Sequence, residues 1–132
     1  MSRSFRYVEH KRRVREDRRF VAGKGNFAAD QVLPGMLHVA PVAADHAAAR
    51  ILSIDISAAL AVPGVHAVVT GADVAAAIDP LMNGLETPHV RRYPLAVSQV
   101  RYSGEWVAVV VAESRAIAED ARELVVVEYE PL

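Results

Sequence analysis

Side chains able to do chemistry are few and scattered in this 132-residue chain. His10, His38, His46, His66 and His89 form no i, i+4 pair and stand at no ligand spacing from a carboxylate, so the helical zinc pattern is missing. No serine occupies a Gly-x-Ser-x-Gly elbow; Ser103 precedes Gly104 in what reads as a hairpin turn, and nucleophilic catalysis has no support. Paired carboxylates occur at Glu16-Asp17 and Glu119-Asp120. The second pair stands beside Arg115 and Arg122 on a predicted helix, where i, i+3 and i+4 salt bridging accounts for it. Glu105 follows a turn glycine and enters an apolar strand; it reads as a strand-entry residue still in solvent, because Glu is seldom buried. Cysteine is absent, which removes disulfides, thiolate nucleophiles and Cys-ligated zinc or iron–sulfur clusters.

The stretch Arg15 to Asp30, REDRRFVAGKGNFAAD, carries Gly23-Lys24-Gly25 in a dense run of charge. A dinucleotide cradle needs a preceding strand, a third glycine and a helix opening directly behind. Asn26-Phe27-Ala28-Ala29-Asp30 and then Leu33-Pro34-Gly35 follow instead, and no Gly-Lys-Ser/Thr occurs. Residues 1 to 24 hold nine of the fifteen Lys and Arg against three acids, and the remainder is acidic. Such an arm attracts nucleic acid nonspecifically or docks on an acidic protein surface. With no helix-turn-helix, RNP or zinc framework to read bases, protein docking is the better reading and nucleic acid is not expected.

The elements that would position these residues follow from pattern. Residues 1 to 30 lack apolar periodicity and read as a basic, extended or irregular arm; residues 31 to 132 read as one domain. MLHVAPVA alternates as a strand that Pro41 assigns to an edge or a bend. ARILSIDIS alternates with Ile51, Ser53 and Asp55 on one face and Leu52, Ile54 and Ile56 on the other. Ser57 is a candidate cap for a short helix that Pro63-Gly64 stops, VHAVVT is a further strand, and Thr70 caps a second helix. Residues 79 to 94 are loop-like. Trp106 to Ala112 is apolar throughout and predicts a strand buried on both faces. Ser114 caps a helix with Ile117, Ala121 and Leu124 as its inner stripe, and LVVVEYE closes with Val125, Val127 and Tyr129 on one side. This last strand–helix–strand order predicts a β-α-β unit with a right-handed crossover. The fold class is α+β, mixed α and β.

Length bounds one domain able to bury roughly 68% of its unfolded surface, and 52% hydrophobic content is that of a globular chain. No apolar run nears the roughly 18 residues of a membrane span, and no apolar signal core follows the charged N-terminus. The expectation is a cytoplasmic protein with no membrane partner.

Three segments in order, REDRRFVAGKGNFAADQVLPGMLH, HAAARILSIDISAALAVPGVHAVVTGADV and PLAVSQVRYSGEWVAVVVAESRAIAEDARELVVVEYEPL, resemble the N-terminal α/β-hammerhead domain of molybdenum hydroxylase large subunits. That family includes xanthine dehydrogenase, aldehyde oxidase and aerobic carbon monoxide dehydrogenase. The resemblance runs from about residue 13 to residue 132. It departs at Ala43-Ala44-Asp45-His46-Ala47-Ala48-Ala49, where the family carries Arg-Ser-Pro-His-Ala-His-Ala, and at Trp106, where Pro usually follows Gly-Glu.

The resemblance implies a non-catalytic domain or split subunit that binds no cofactor alone. Its partner would be a molybdopterin-binding subunit or domain oxidising an aldehyde or N-heterocycle, with iron–sulfur clusters and FAD on further subunits of the complete enzyme. Catalytic, cofactor and metal residues are expected elsewhere. Arg15, Asp17, Arg19, Phe20, Gly23, Gly25 and Asp30 in the arm, with Gly104 and Glu105, form the candidate partner interface. The alternative is a free-standing interaction module recruited through its basic arm.

Overall fold

The structure, a computed structural model, describes residues 17–81 and 91–132. The chain divides into two compact units, residues 1–34 and 35–132.

In the first unit a five-residue helix, α1 (Asp17–Val21), replaces part of the expected irregular arm. Its end is specified locally. Gly23, at φ +68°, donates its N–H to the Phe20 carbonyl at 3.0 Å, and Lys24 donates to Arg19 at 2.9 Å. This pair of bonds is the Schellman ending, in which glycine takes the left-handed position after the cap. The single-residue polarity of the stretch hid a helix too short to show a period. A 3-10 turn at Ala28–Asp30 follows, and the Asp30 carboxylate accepts the Phe27 N–H at 2.9 Å.

The second unit contains, in chain order, β1 (His38–Ala43), β2 (Ala49–Asp55), α2 (Ser57–Leu60), β3 (Val65–Thr70), α3 (Gly71–Ala77), β4 (Gln99–Val100), β5 (Trp106–Ala112), α4 (Arg115–Arg122) and β6 (Val126–Pro131). They build two three-stranded sheets, β1-β5-β3 and β4-β2-β6, and every pairing within them is antiparallel. The mixed α and β class holds, but β5 and β6 lie in different sheets, so no parallel β-α-β crossover forms. For the same reason β4 and β5 do not make a hairpin across Ser103-Gly104. Each strand finds its partner at long range, which local pattern does not encode.

Burial explains the arrangement. β5 is the central strand of its sheet, and Val107, Ala108, Val110 and Ala112 on it are fully buried. Burying Val100, Val107 and Val110 contributes about 1.5–3 kcal/mol each. Pro41, which lacks an N–H, stands on the edge strand β1 opposite Val109, as its chemistry requires. Ile54, Val127 and Val42 pack against two of the core clusters and join them. Along β2 the simple alternation fails. A register shift between Ile51 and Ser53 turns Leu52 outward, 61% exposed, while Ile51 and Ile54 both face the core. An extra residue in one strand does this by breaking the two-residue period.

The helix caps are partly as expected. Thr70 and Ser114 accept the N–H groups of Asp73 and Ile117. Ser57 is instead the first helical residue, and its N–H and hydroxyl both donate to the Asp55 carboxylate, at 2.9 and 2.6 Å. These bonds hold Asp55 below its ordinary pKa, the hydroxyl contributing most. α4 buries Ala118 and Ala121 and ends at Arg122, so Leu124 falls beyond the helical period and is 44% exposed.

Candidate functional site

The turn before β5 is tied to the end of β1 and to the segment before β4. Gly104 donates its N–H to the Ala44 carbonyl at 2.7 Å, and Ala44 donates back to the Glu105 carbonyl at 2.9 Å. Ala96 donates to the Trp106 carbonyl at 2.7 Å. Gly104 sits at φ +89° with open space where a side chain would stand, so glycine is needed there for its backbone freedom.

Glu105 is not in solvent. Its side chain is only 14% exposed; Oε2 accepts the Arg101 backbone N–H at 2.6 Å and Oε1 lies 3.6 Å from the Arg101 guanidinium. A carboxylate that satisfies a backbone donor four residues upstream folds back over its own turn, an arrangement strand propensity does not anticipate. A cleft of about 330 Å³ opens beside it, lined in part by Arg91, Arg92, Tyr93, Arg101, Tyr102 and Glu105. Its wall brings three arginines and two tyrosines beside this carboxylate. Arg101 and Ala44 were absent from the sequence expectation; they act through backbone atoms, for which side-chain type gives no signal.

Gly71 is a further missed residue. A Cβ built there would stand 1.9 Å from the Ala96 carbonyl oxygen, so only glycine lets the start of α3 lie against this segment. Its one signal in the sequence was a glycine placed directly after the capping Thr70. Asp73 closes the cap from the other side by accepting the Thr70 hydroxyl and N–H at 2.7 and 2.8 Å. Those bonds hold its pKa below the ordinary aspartate value, the hydroxyl first.

In the first unit, the Phe20 and Phe27 rings stack with centroids 5.4 Å apart, and the Arg19 guanidinium lies 5.3 Å from the Phe20 centroid. Gly25 lies against both rings, where a Cβ would approach Phe20 and Phe27 to 3.0 and 3.2 Å. Gly-Lys-Gly is thus a helix ending followed by a close aromatic approach. Arg19, Phe20, Gly23, Gly25 and Asp30 are brought together in this unit; Gly104 and Glu105 belong to the other. Arg15 and the side chain of Asp17 lie outside the described residues.

Other titratable groups occur in pairs. Arg115 and Glu119 bond at 2.7 Å one turn apart, as expected, which lowers the Glu119 pKa through the hydrogen bond and then the charge of Arg115. His46 Nδ1 contacts Asp45 at 2.5 Å and its ring tilts over Tyr129. Burial, then the Asp45 charge, raises the Tyr129 pKa. Among the described residues no group of three or more His, Asp or Glu could hold a metal ion.

Two antiparallel sheets with short helices define a small mixed α and β class, and the sequence carries a specific family pattern on it. Residues 22–132 match the family model described as "Aldehyde oxidase and xanthine dehydrogenase, a/b hammerhead domain". The chain belongs to this family. It is 48% identical over 125 residues to the carbon monoxide dehydrogenase large chain of Afipia carboxidovorans, which covers 92% of this chain and 15% of that one. It is 44% identical over 124 residues to the nicotine 6-hydroxylase large subunit of Paenarthrobacter nicotinovorans, covering 89% and 15%. The crystal structure of quinoline 2-oxidoreductase from Pseudomonas putida 86 superposes with a TM-score of 0.83 at 49% identity, over 89% of this chain and 15% of that one. The chain therefore spans about 15% of the length of these relatives. No helix among the described residues is long and apolar enough to cross a membrane.

Proposed function

We propose that this chain is the non-catalytic hammerhead module of a molybdopterin-dependent hydroxylase, as a domain or a split subunit, packed against a molybdopterin-binding chain. The complete enzyme oxidises an aldehyde or N-heterocycle with iron–sulfur and flavin subunits as electron carriers, in the cytoplasm. The match to the hammerhead family over residues 22–132 carries this reading. The names of two relatives support it, the Cu,Mo-CO dehydrogenase and the "nicotinate dehydrogenase large molybdopterin subunit" of Eubacterium barkeri.

Iron–sulfur clusters need thiolates, and the sequence has no cysteine. The described residues offer no group of three or more His, Asp or Glu that could hold a metal ion. What the chain contributes is a rigid surface. The Glu105 turn fixes the start of the most buried strand, and the Phe20, Gly25 and Phe27 stack orders the loop that follows α1. Both sets remain candidates for contact with the molybdopterin chain.

The test is co-expression with a molybdopterin-binding chain encoded beside it, followed by size-exclusion chromatography and hydroxylase assay on aldehydes and N-heterocycles. A stable complex whose activity needs this chain is expected. A monomeric chain beside a partner fully active alone overturns the proposal.

A further inference from the structure

The two sheets treat their outer faces differently. On β4-β2-β6 the outer face is polar, with Arg50 bonded to Glu130 at 2.5 Å and Ser53 to Glu128 at 2.9 Å across the strands. That is the usual state of an antiparallel sheet with one face in water. On β1-β5-β3 two successive rows of the corresponding face are apolar. Val39, Val111 and Ala67 pair across the three strands, as do Pro41, Val109 and Val69. None of these six joins a core cluster, to which this sheet contributes instead Ala40, Val68, Ala108, Val110 and Ala112. Val39 is 59% exposed. Between the pairs Val42–Ala108 and Ala43–Trp106 the register shifts, with the buried Val107 as the extra residue of β5. Such a bulge breaks the alternation and puts Trp106, 50% exposed and the only tryptophan of the chain, on the side of Val109 and Val111.

We infer that this outer face of β1-β5-β3, with Trp106 as its anchor, is the surface that docks on the molybdopterin-binding polypeptide. The inference rests on the reading under Proposed function and assigns the contact to one face. Its size selects the occupant. Three strands about 4.8 Å apart and six or seven residues long at about 3.4 Å each give a footprint on the order of 300 Å². A stable self-association needs about 800 Å² on each partner, so this face alone does not hold a second copy. It suits one part of a wider contact with a large chain, and this chain spans only 15% of the large chains it matches. The two paired rows carry no charge, which disfavours nucleic acid. Tryptophan is among the side chains on which binding energy concentrates.

The experiment compares Val39→Lys and Trp106→Ser, both at exposed positions that leave the core intact, with Leu52→Lys on the polar sheet as control. Thermal unfolding of each purified chain verifies folding, and its affinity for the co-expressed molybdopterin chain is then measured. Both face variants should bind at least tenfold more weakly, with the control within twofold of the wild type. A complex that forms equally tightly with either face variant overturns this assignment while leaving the functional proposal standing. Failure of the wild-type chain to form any complex refutes the functional proposal, and this inference with it. A stable homodimer of the free chain that Val39→Lys dissolves makes a second copy the occupant and overturns it as well.

Discussion

Replacing Glu105 by Ala probes the turn that launches β5. Two interactions are lost. The first is the bond from the Arg101 backbone N–H to Oε2 at 2.6 Å, received by a charged group that is only 14% exposed; hydrogen bonds to charged groups contribute about 1.5–3 kcal/mol. The second is the 3.6 Å approach of the Arg101 guanidinium, whose side chain is 52% exposed, worth at most about 1 kcal/mol after solvent screening. The freed N–H belongs to an exposed residue and regains water, which places the total near 2 kcal/mol. At about 2.1 cal/mol/K of unfolding entropy per residue, a chain of this length loses about 7 °C of Tm. Glu105→Gln keeps an acceptor of the same shape and should cost roughly half as much. Trp106 adjoins the site and is the sole tryptophan, so its fluorescence during a thermal ramp reports unfolding directly. A Glu105→Ala variant melting within about 1 °C of the wild type would refute the turn-lock argument.

Gly71→Ala puts a methyl 1.9 Å from the Ala96 carbonyl oxygen, and backbone faces backbone there, so α3 or the 96–97 segment has to move by more than about 1 Å. The expected loss exceeds about 3 kcal/mol, in the range of a disrupted core; denaturant titration with an unchanged midpoint would show that the segment yields freely. The Thr70–Asp73 cap predicts an acid-side pH dependence. Because the folded pKa of Asp73 is lowered, its stabilisation is complete above the unfolded value, about 3.9, and is lost as pH falls through the folded value. Thr70→Ala, costing about 1 kcal/mol at pH 6, should therefore approach the wild type as urea midpoints are followed from pH 5 to pH 2.5. A gap that stays constant over that range argues against the carboxylate's part in the cap.

Much of the candidate site lay in the sequence as residue identity without geometry. Gly23 and Gly25 stood out by spacing, and the structure makes one a helix ending and the other a close approach of backbone to two stacked rings. Glu105 stood out by its position after a turn glycine, yet its burial comes from Arg101, whose contribution is a backbone N–H that every residue except proline carries. Arg91 and Arg92 fell in a stretch with no periodic signal, and they line the cleft only because the chain returns there to pair Leu81 with Arg92.

The sequence by itself determined the family, the mixed α and β class, the strand positions and two of the caps, because these depend on residue type and on neighbours a few positions away. Thr70 needs only Asp73, and the apolar run Trp106 to Ala112 marks a strand, although the expected burial on both faces fails: Trp106 is exposed and Val109 and Val111 are half-buried. Tertiary structure decided which strands share a sheet. β5 and β6 read as one unit along the chain, yet each is claimed by partners distant in sequence, β1 and β3 for the first and β2 for the second. Pairing energy is earned where two strands meet, and a one-residue shift such as that at Leu52 exchanges core for solvent. The same pairing set Val39, Val111 and Ala67 beside Pro41, Val109 and Val69 in two adjacent apolar rows, which no single strand announces.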